Sequence, residues 1–329
     1  MVLGANRPKP GLKAIYEGRE ARRPGGKYSR PSNAGYFIVL GAIVASLFAY
    51  HFIDEHDLSV QKHDVLAQQR AIQATIGAEW LPLREQIEKY TLDAAGPFKG
   101  DFVDSEAARW DFRSLPGLYL RMRMADVKDV ASLRRAAAES RKDQFIGCLL
   151  RESNAAAARG EPDAGAFPDQ PWNLGQAYTA TRVLDESWTE GLKAADDKMQ
   201  IRVYQEQYEK AAKVDMRVAA EMVRKAKFFL LVLDEDPTGT DAVKMADGGV
   251  PDEAALQLAP HWSRVYVLDL RTKGELVRVG REGSASFLFA GEGARVDEET
   301  RSAMQRQVNN CSLAQQVWAA VAAKADGGT

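Results

Sequence analysis

Cysteine is nearly missing from this chain: Cys148 and Cys311 are the two in 329 residues. With no CxxC and no Cys/His grouping, the sequence excludes a zinc ribbon, a CxxC exchange motif and a small disulfide-built fold. Histidine is as scarce. His51, His56, His63 and His261 form no ligand set, since His56 and His63 stand about 10 Å apart on a helix rising about 1.5 Å per residue. They read as interfacial or surface groups. Apolar runs of spanning length number one, which excludes a polytopic transporter or channel. Catalytic signatures are also lacking: no GxSxG, HExxH or kinase set occurs, and the GREG at 280–283 and GEG at 291–293 complete no phosphate loop and read as turns. Ser59 and Lys62 satisfy SxxK without the further motifs of enzymes that use it.

What is present begins with charge. The first 35 residues hold eight Lys/Arg against Glu17 and Glu20, whereas the whole chain is −2. Four prolines and no apolar period accompany that basic stretch, so it reads as a disordered arm. Residues 35–53, GYFIVLGAIVASLFAYHFI, then run without a formal charge. At about 1.5 Å per residue they cover roughly 28 Å, close to a hydrocarbon core of about 30 Å. Tyr36, Tyr50 and His51 sit near the ends, and Asp54, Glu55 and Asp57 follow. Basic before and acidic after orients an uncleaved anchor with its amino terminus inside. The expected location is a bacterial inner membrane with a periplasmic carboxyl-terminal region; the alternative is the mitochondrial inner membrane.

Beyond the anchor, Leu58, Val65 and Ile72, then Ile76, Leu83 and Tyr90, recur every seven residues around Pro82. The pattern predicts helix, kink, helix: a stalk whose seam packs within the chain or on a partner helix. Residues 118–124, LYLRMRM, alternate and predict a half-buried strand with Tyr119, Arg121 and Arg123 outward. A helix is expected over about 129–158, and a proline-rich hinge over 160–171. The proline-free stretch 173–226 keeps a helical period; unbroken, it would run about 80 Å, with Gly191 its weakest point, and would project or form a hairpin with the helix before it. KFFLLVL at 227–233 reads as a strand buried on both faces, and 264–270 with 275–281 as a hairpin turned at Gly274. SFLFAG at 286–291 adds a further strand candidate. A last helix is predicted over 297–324 with Asp297 as N-cap.

The expected fold class is α+β: one amino-terminal transmembrane helix, long helices forming stalk and hairpin, and a small, mainly antiparallel sheet with a carboxyl-terminal helix. The segments are a basic cytoplasmic tail (1–34), the span (35–53), a stalk (54–95), a mainly helical region with one strand (96–226) and an α+β region (227–329).

DEDPTGTD places Asp234, Asp236, Thr238 and Gly239 on the first, third, fifth and sixth positions of an EF-hand-like loop, with Asp241 beyond, but Met245 stands where the bidentate glutamate belongs. A weak calcium site over Asp234, Asp236, Thr238 and Asp241 is the only metal reading; a solvated acidic loop is the plainer one. Cys148 and Cys311 form a disulfide in an oxidising compartment or stay buried thiols. Trp110, Trp172, Trp188 and Trp262 read as core or interface anchors before pocket walls.

No cofactor is expected. The partners expected are the bilayer and other envelope proteins, with homo-oligomers allowed and no nucleic acid, because a basic arm beside a span serves orientation and anionic lipid. The function expected is that of a non-enzymatic docking or scaffold component of the envelope; the alternative is a membrane-tethered sensor or small-ligand domain.

Overall fold

In a computed structural model, residues 33–107, 115–150, 171–237, 253–285 and 297–325 are described. The chain divides into two compact units, residues 1–60 and 61–329. In the first, residues 33–60 open the helix α1 (Asn33–Ile72). The side chains of residues 36–53 are all exposed, with Ile38 71% and Tyr50 72% accessible. By length and composition this helix can cross a membrane. Residues 1–32 of the expected basic tail lie outside the described residues.

Among the described residues, the second unit is built on six strands. These are β1 (Phe102–Val103), β2 (Gly117–Arg123), β3 (Trp172–Asn173), β4 (Phe228–Asp234), β5 (Trp262–Asp269) and β6 (Glu275–Glu282). Their order is β1-β6-β5-β4-β2-β3. β4, β5, β6 and β1 pair antiparallel, while β2 lies parallel to both β4 and β3. The sheet is therefore mixed, with three antiparallel and two parallel pairings, and three of its strands come from the stretch expected to be mainly helical with one strand. β4 explains the difference. Its FFLLVLD is buried at every residue, so it needs a partner on each edge and a layer on each face.

Helices supply those layers. α2 (Ala78–Ala94), α3 (Val130–Glu139), α5 (Leu174–Thr181) and α8 (Met216–Lys225) cover one face, where Trp80, Ile87, Leu133 and Val223 pack on Leu118, Leu120, Phe229 and Leu231. α4 (Gln144–Leu149) and α10 (Glu298–Ala325) cover the other, where Phe145, Leu313 and Val317 meet Tyr119, Phe228, Leu230 and Val277. Between α5 and α8 come α6 (Glu186–Ala194) and α7 (Lys198–Lys210), and the short α9 (Glu253–Leu256) precedes β5.

The long helices expected from period alone are broken by caps. Asp143, Asn173 and Asp197 accept hydrogen bonds from the backbone of Phe145, Gly175 and Gln200 at 3.0, 2.9 and 2.8 Å. Each starts a new helix where a side-chain oxygen satisfies an orphan N–H. The 129–158 helix thus becomes α3 and α4, with its last residues outside the described set, and 173–226 becomes α5, α6 and a helical run from Lys198 to Lys225 in which α7 passes into α8 through a π-turn at Ala211–Asp215. Gly191 is not a break. It lies inside α6, where a Cβ would come 2.3 Å from the Tyr204 hydroxyl. Pro82 likewise stays inside α2, and the irregularity is instead a π-turn at Gln73–Gly77. The lower end of α1 packs within the chain: Gln69 Nε2 donates to the Val183 carbonyl and to Thr189 Oγ1, both at 2.7 Å.

The β5–β6 hairpin forms where the alternation placed it, but its left-handed residue is Lys273 (φ 60°), not Gly274. Asp269 accounts for this by accepting from the Arg271 backbone and the Thr272 hydroxyl, which winds the turn one residue early. Asp297 caps α10 through the Thr300 backbone at 2.8 Å. The candidate strand at 286–291 lies outside the described residues.

Candidate functional site

β2 is buried throughout, against the half-buried reading. Period two puts Tyr119, Arg121 and Arg123 on the face toward α4 and α10, and burial of those arginines is tolerable only with partners. β4 supplies them. Arg121 Nε donates to Asp234 Oδ2 at 2.7 Å and Nη2 to Asp234 Oδ1 at 3.0 Å, a two-point pair with both side chains fully buried. Arg121 Nη1 donates to Asp143 Oδ2 and to Asn310 Oδ1, each at 2.7 Å. Two residues on, Arg123 repeats the pairing on Asp236 at 2.6 and 2.8 Å.

Asp234 receives more. Ser263 Oγ donates to its Oδ1 at 2.6 Å, and His261 Nε2 lies 3.2 Å from the same oxygen, with His261 Nδ1 2.9 Å from the Ala259 carbonyl. Burial alone would raise this carboxyl; the Arg121 charge and the His261 and Arg121 hydrogen bonds outweigh it and hold Asp234 well below the usual carboxylate range. The same carboxylates, Asp234 before Asp143, outweigh the opposing effect of burial on Arg121 and keep it charged. Ser263 and His261 both turn to the carboxylate rather than to each other. That arrangement anchors a charge and does not activate a serine nucleophile.

Asp143 connects this buried cluster to the outside. It is 10% exposed and lines a polar pocket of 430 Å³ together with Met122, Arg123, Glu139, Arg141 and Arg306. The pocket sits at the carboxyl end of β2. There the chain leaves β2 toward β3 on one side and returns to β4 on the other, so the crevice lies at a topological switch point, the usual ligand position in sheets with parallel strands. Arg123 and Asp143 are held by Asp236 and Arg121. Among the described residues, Arg141, Arg306, Glu139 and the nearby Asp126 have no ion-pair partner.

Of the proposed calcium ligands, Asp234 is consumed by the buried cluster and Asp236 by Arg123; Thr238 and Asp241 lie outside the described residues. No group of three His, Cys, Asp or Glu able to hold a metal occurs among the described residues. Cys148 on α4 and Cys311 on α10 face each other, with Cα atoms 5.1 Å apart. His261 is buried, against the surface reading, because Asp234 and the Ala259 carbonyl satisfy both ring nitrogens. Gly280 is not in a turn but inside β6, under the Trp262 ring. The tryptophans do not gather: Trp188 packs on Tyr204 at 5.4 Å, Trp172 is in β3, Trp262 is 42% exposed and Trp110 lies outside the described residues. Lys62 Nζ of the SxxK donates to the Lys193 carbonyl at 3.0 Å.

Sequence reasoning missed the arginine cluster. Its signal was present as two matched spacings, Arg121-x-Arg123 on one strand and Asp234-x-Asp236 on the other.

Comparison with known proteins finds no match: no family model fits the chain, and no curated protein or solved structure is similar to it.

Proposed function

We propose that this chain is a single-pass, membrane-anchored binding domain, its residues 54–329 exported, that senses or carries a small polar solute in the pocket at the carboxyl end of β2. The single observation behind this reading is the pocket's position and lining: 430 Å³ at the switch between β2 and β4, above a floor whose charges are already neutralised. Two cations, Arg141 and Arg306, and two carboxylates, Asp126 and Glu139, are left to face a ligand. Such a set favours a solute bearing both charge signs, an amino acid or short peptide, over a simple anion. The site requires no catalytic role for the chain. The exposed apolar surface of residues 36–53 supports the anchor, and the basic arm before it supports an inside amino terminus.

Thermal unfolding of the full-length protein in detergent micelles tests the reading. A ligand at a hundred times its Kd adds about 2.7 kcal/mol and raises Tm by several degrees. Amino acids and dipeptides should shift Tm, Arg306→Ala should remove the shift, and dicarboxylates, phosphate and calcium should act more weakly. No shift from any zwitterion at millimolar concentration would sink it.

A docking or scaffold role in the envelope is the second reading. It is favoured by Met199 and Val203, one turn apart on α7 and 70% and 46% exposed. Crosslinking in the native membrane would then capture partners, or a second copy, that Met199→Glu abolishes.

A further inference from the structure

We infer that Cys148 and Cys311 form a redox-controlled clamp on the floor of this pocket, a proposal that rests on reading the pocket as the binding site. α4 and α10 pack on the same face of the sheet, and their cysteine Cα atoms are 5.1 Å apart, inside the span a disulfide bridges. The same two helices hold Arg121. Asp143 caps α4 five residues before Cys148, Asn310 directly precedes Cys311, and both accept from Arg121 Nη1 at 2.7 Å. The covalent link therefore closes a ring running from Cys148 through α4 to Asp143, across Arg121 to Asn310, and back through Cys311. Asp143 and Arg306 line the pocket from these two helices, so freeing them from each other frees the pocket wall.

The bond is also reachable. Cys311 lines a second opening of 430 Å³ on α10, beside Met304, Gln307, Val308 and Ser312. A dithiol reductant enters there. Its thiolate attacks Cys311 Sγ, the disulfide breaks, and the electron pair leaves on Cys148 Sγ, which takes up a proton. The donor's second thiol then displaces Cys311 as a thiol and departs as the donor's own disulfide. The clamp gains two electrons and two protons, and the dithiol loses them.

The experiment uses the full-length protein in micelles, with no ligand. Alkylation and mass spectrometry first count thiols without reductant: both cysteines protected supports the bond, and both alkylated overturns the proposal. Hydrogen exchange is then compared between the oxidised protein and protein treated with a dithiol. The expected result is exchange about tenfold faster in residues 143–150 and 305–312, with residues 174–225 unchanged, because local opening is confined to the clamped helices. Cys148→Ser/Cys311→Ser should show the fast pattern with or without dithiol; if that variant does not fold, reduction and reoxidation of the wild-type chain decide. A change below about twofold, or one spread evenly over the chain, overturns the clamp. Because no solute enters these measurements, their failure leaves the pocket reading standing, and failure of the zwitterion screen leaves the clamp standing.

Discussion

Arg121 carries its charge in a site with no access to water, where Asp234 and Asp143 neutralise it and the Asn310 amide oxygen accepts a further hydrogen bond. Removing one buried partner leaves an uncompensated charge, which typically costs about 3–5 kcal/mol. Asp234→Asn should therefore lower stability by about that amount in urea unfolding, while the exposed Asp64→Asn control should not. The pH dependence follows from the direction of the Asp234 shift. Its folded pKa is depressed below the unfolded value of about 3.9, so its contribution is complete above about pH 5 and is lost as pH falls through 4 toward the folded value. Urea midpoints of the wild-type chain should fall between pH 5 and pH 3, and Asp234→Asn should flatten that fall; an unchanged slope would remove Asp234 from the acid response. At this scale the sequence was only half legible. The alternation in LYLRMRM is plain, but whether arginines on one face meet solvent or buried aspartates depends on a strand more than a hundred residues away.

The turns between elements are set by single side chains. Gly175 opens α5, and a Cβ there would stand 2.6 Å from the Ala137 carbonyl and 2.8 Å from that of Ser140. Those are backbone atoms at the carboxyl end of α3 and cannot move aside cheaply. Gly175→Ala should cost about 1–3 kcal/mol, the range of overpacking, and calorimetry should show it as a lower Tm. Helix existence was legible from period, because residues that face one sheet must recur at helical spacing. Helix length was not. Asp143 and Asp197 each cap a new helix inside a stretch whose apolar residues recur at helical spacing, so the period by itself does not show where the backbone breaks. The hairpin shows the reverse case: its two strands were clear from alternation, while a carboxylate, Asp269, moved the left-handed position from a glycine to Lys273.

Across the whole chain, the apolar helix and the mixture of α and β could be read directly, since a charge-free run of this length and buried strands leave few alternatives. The parallel half of the sheet could not, because β3 is two residues long and carries no strand signal of its own. The proposed anchor makes a prediction at this scale. Full-length protein should resist alkaline carbonate extraction while a chain lacking residues 1–53 is released, and a reporter fused after Thr329 should be active only on the exported side. Activity confined to the cytoplasm would reverse the orientation.

The two-residue outer strands have a consequence for the proposed membrane-anchored form. A bilayer confines copies of an anchored protein to a plane, and sheets held side by side risk joining through their open rims into cross-β stacks. Here the rims are β1 and β3, too short to template a neighbour, and the long hydrophobic strands β4 and β5 lie inboard of them. Crowding at high expression should then yield dispersed molecules, not fibrils.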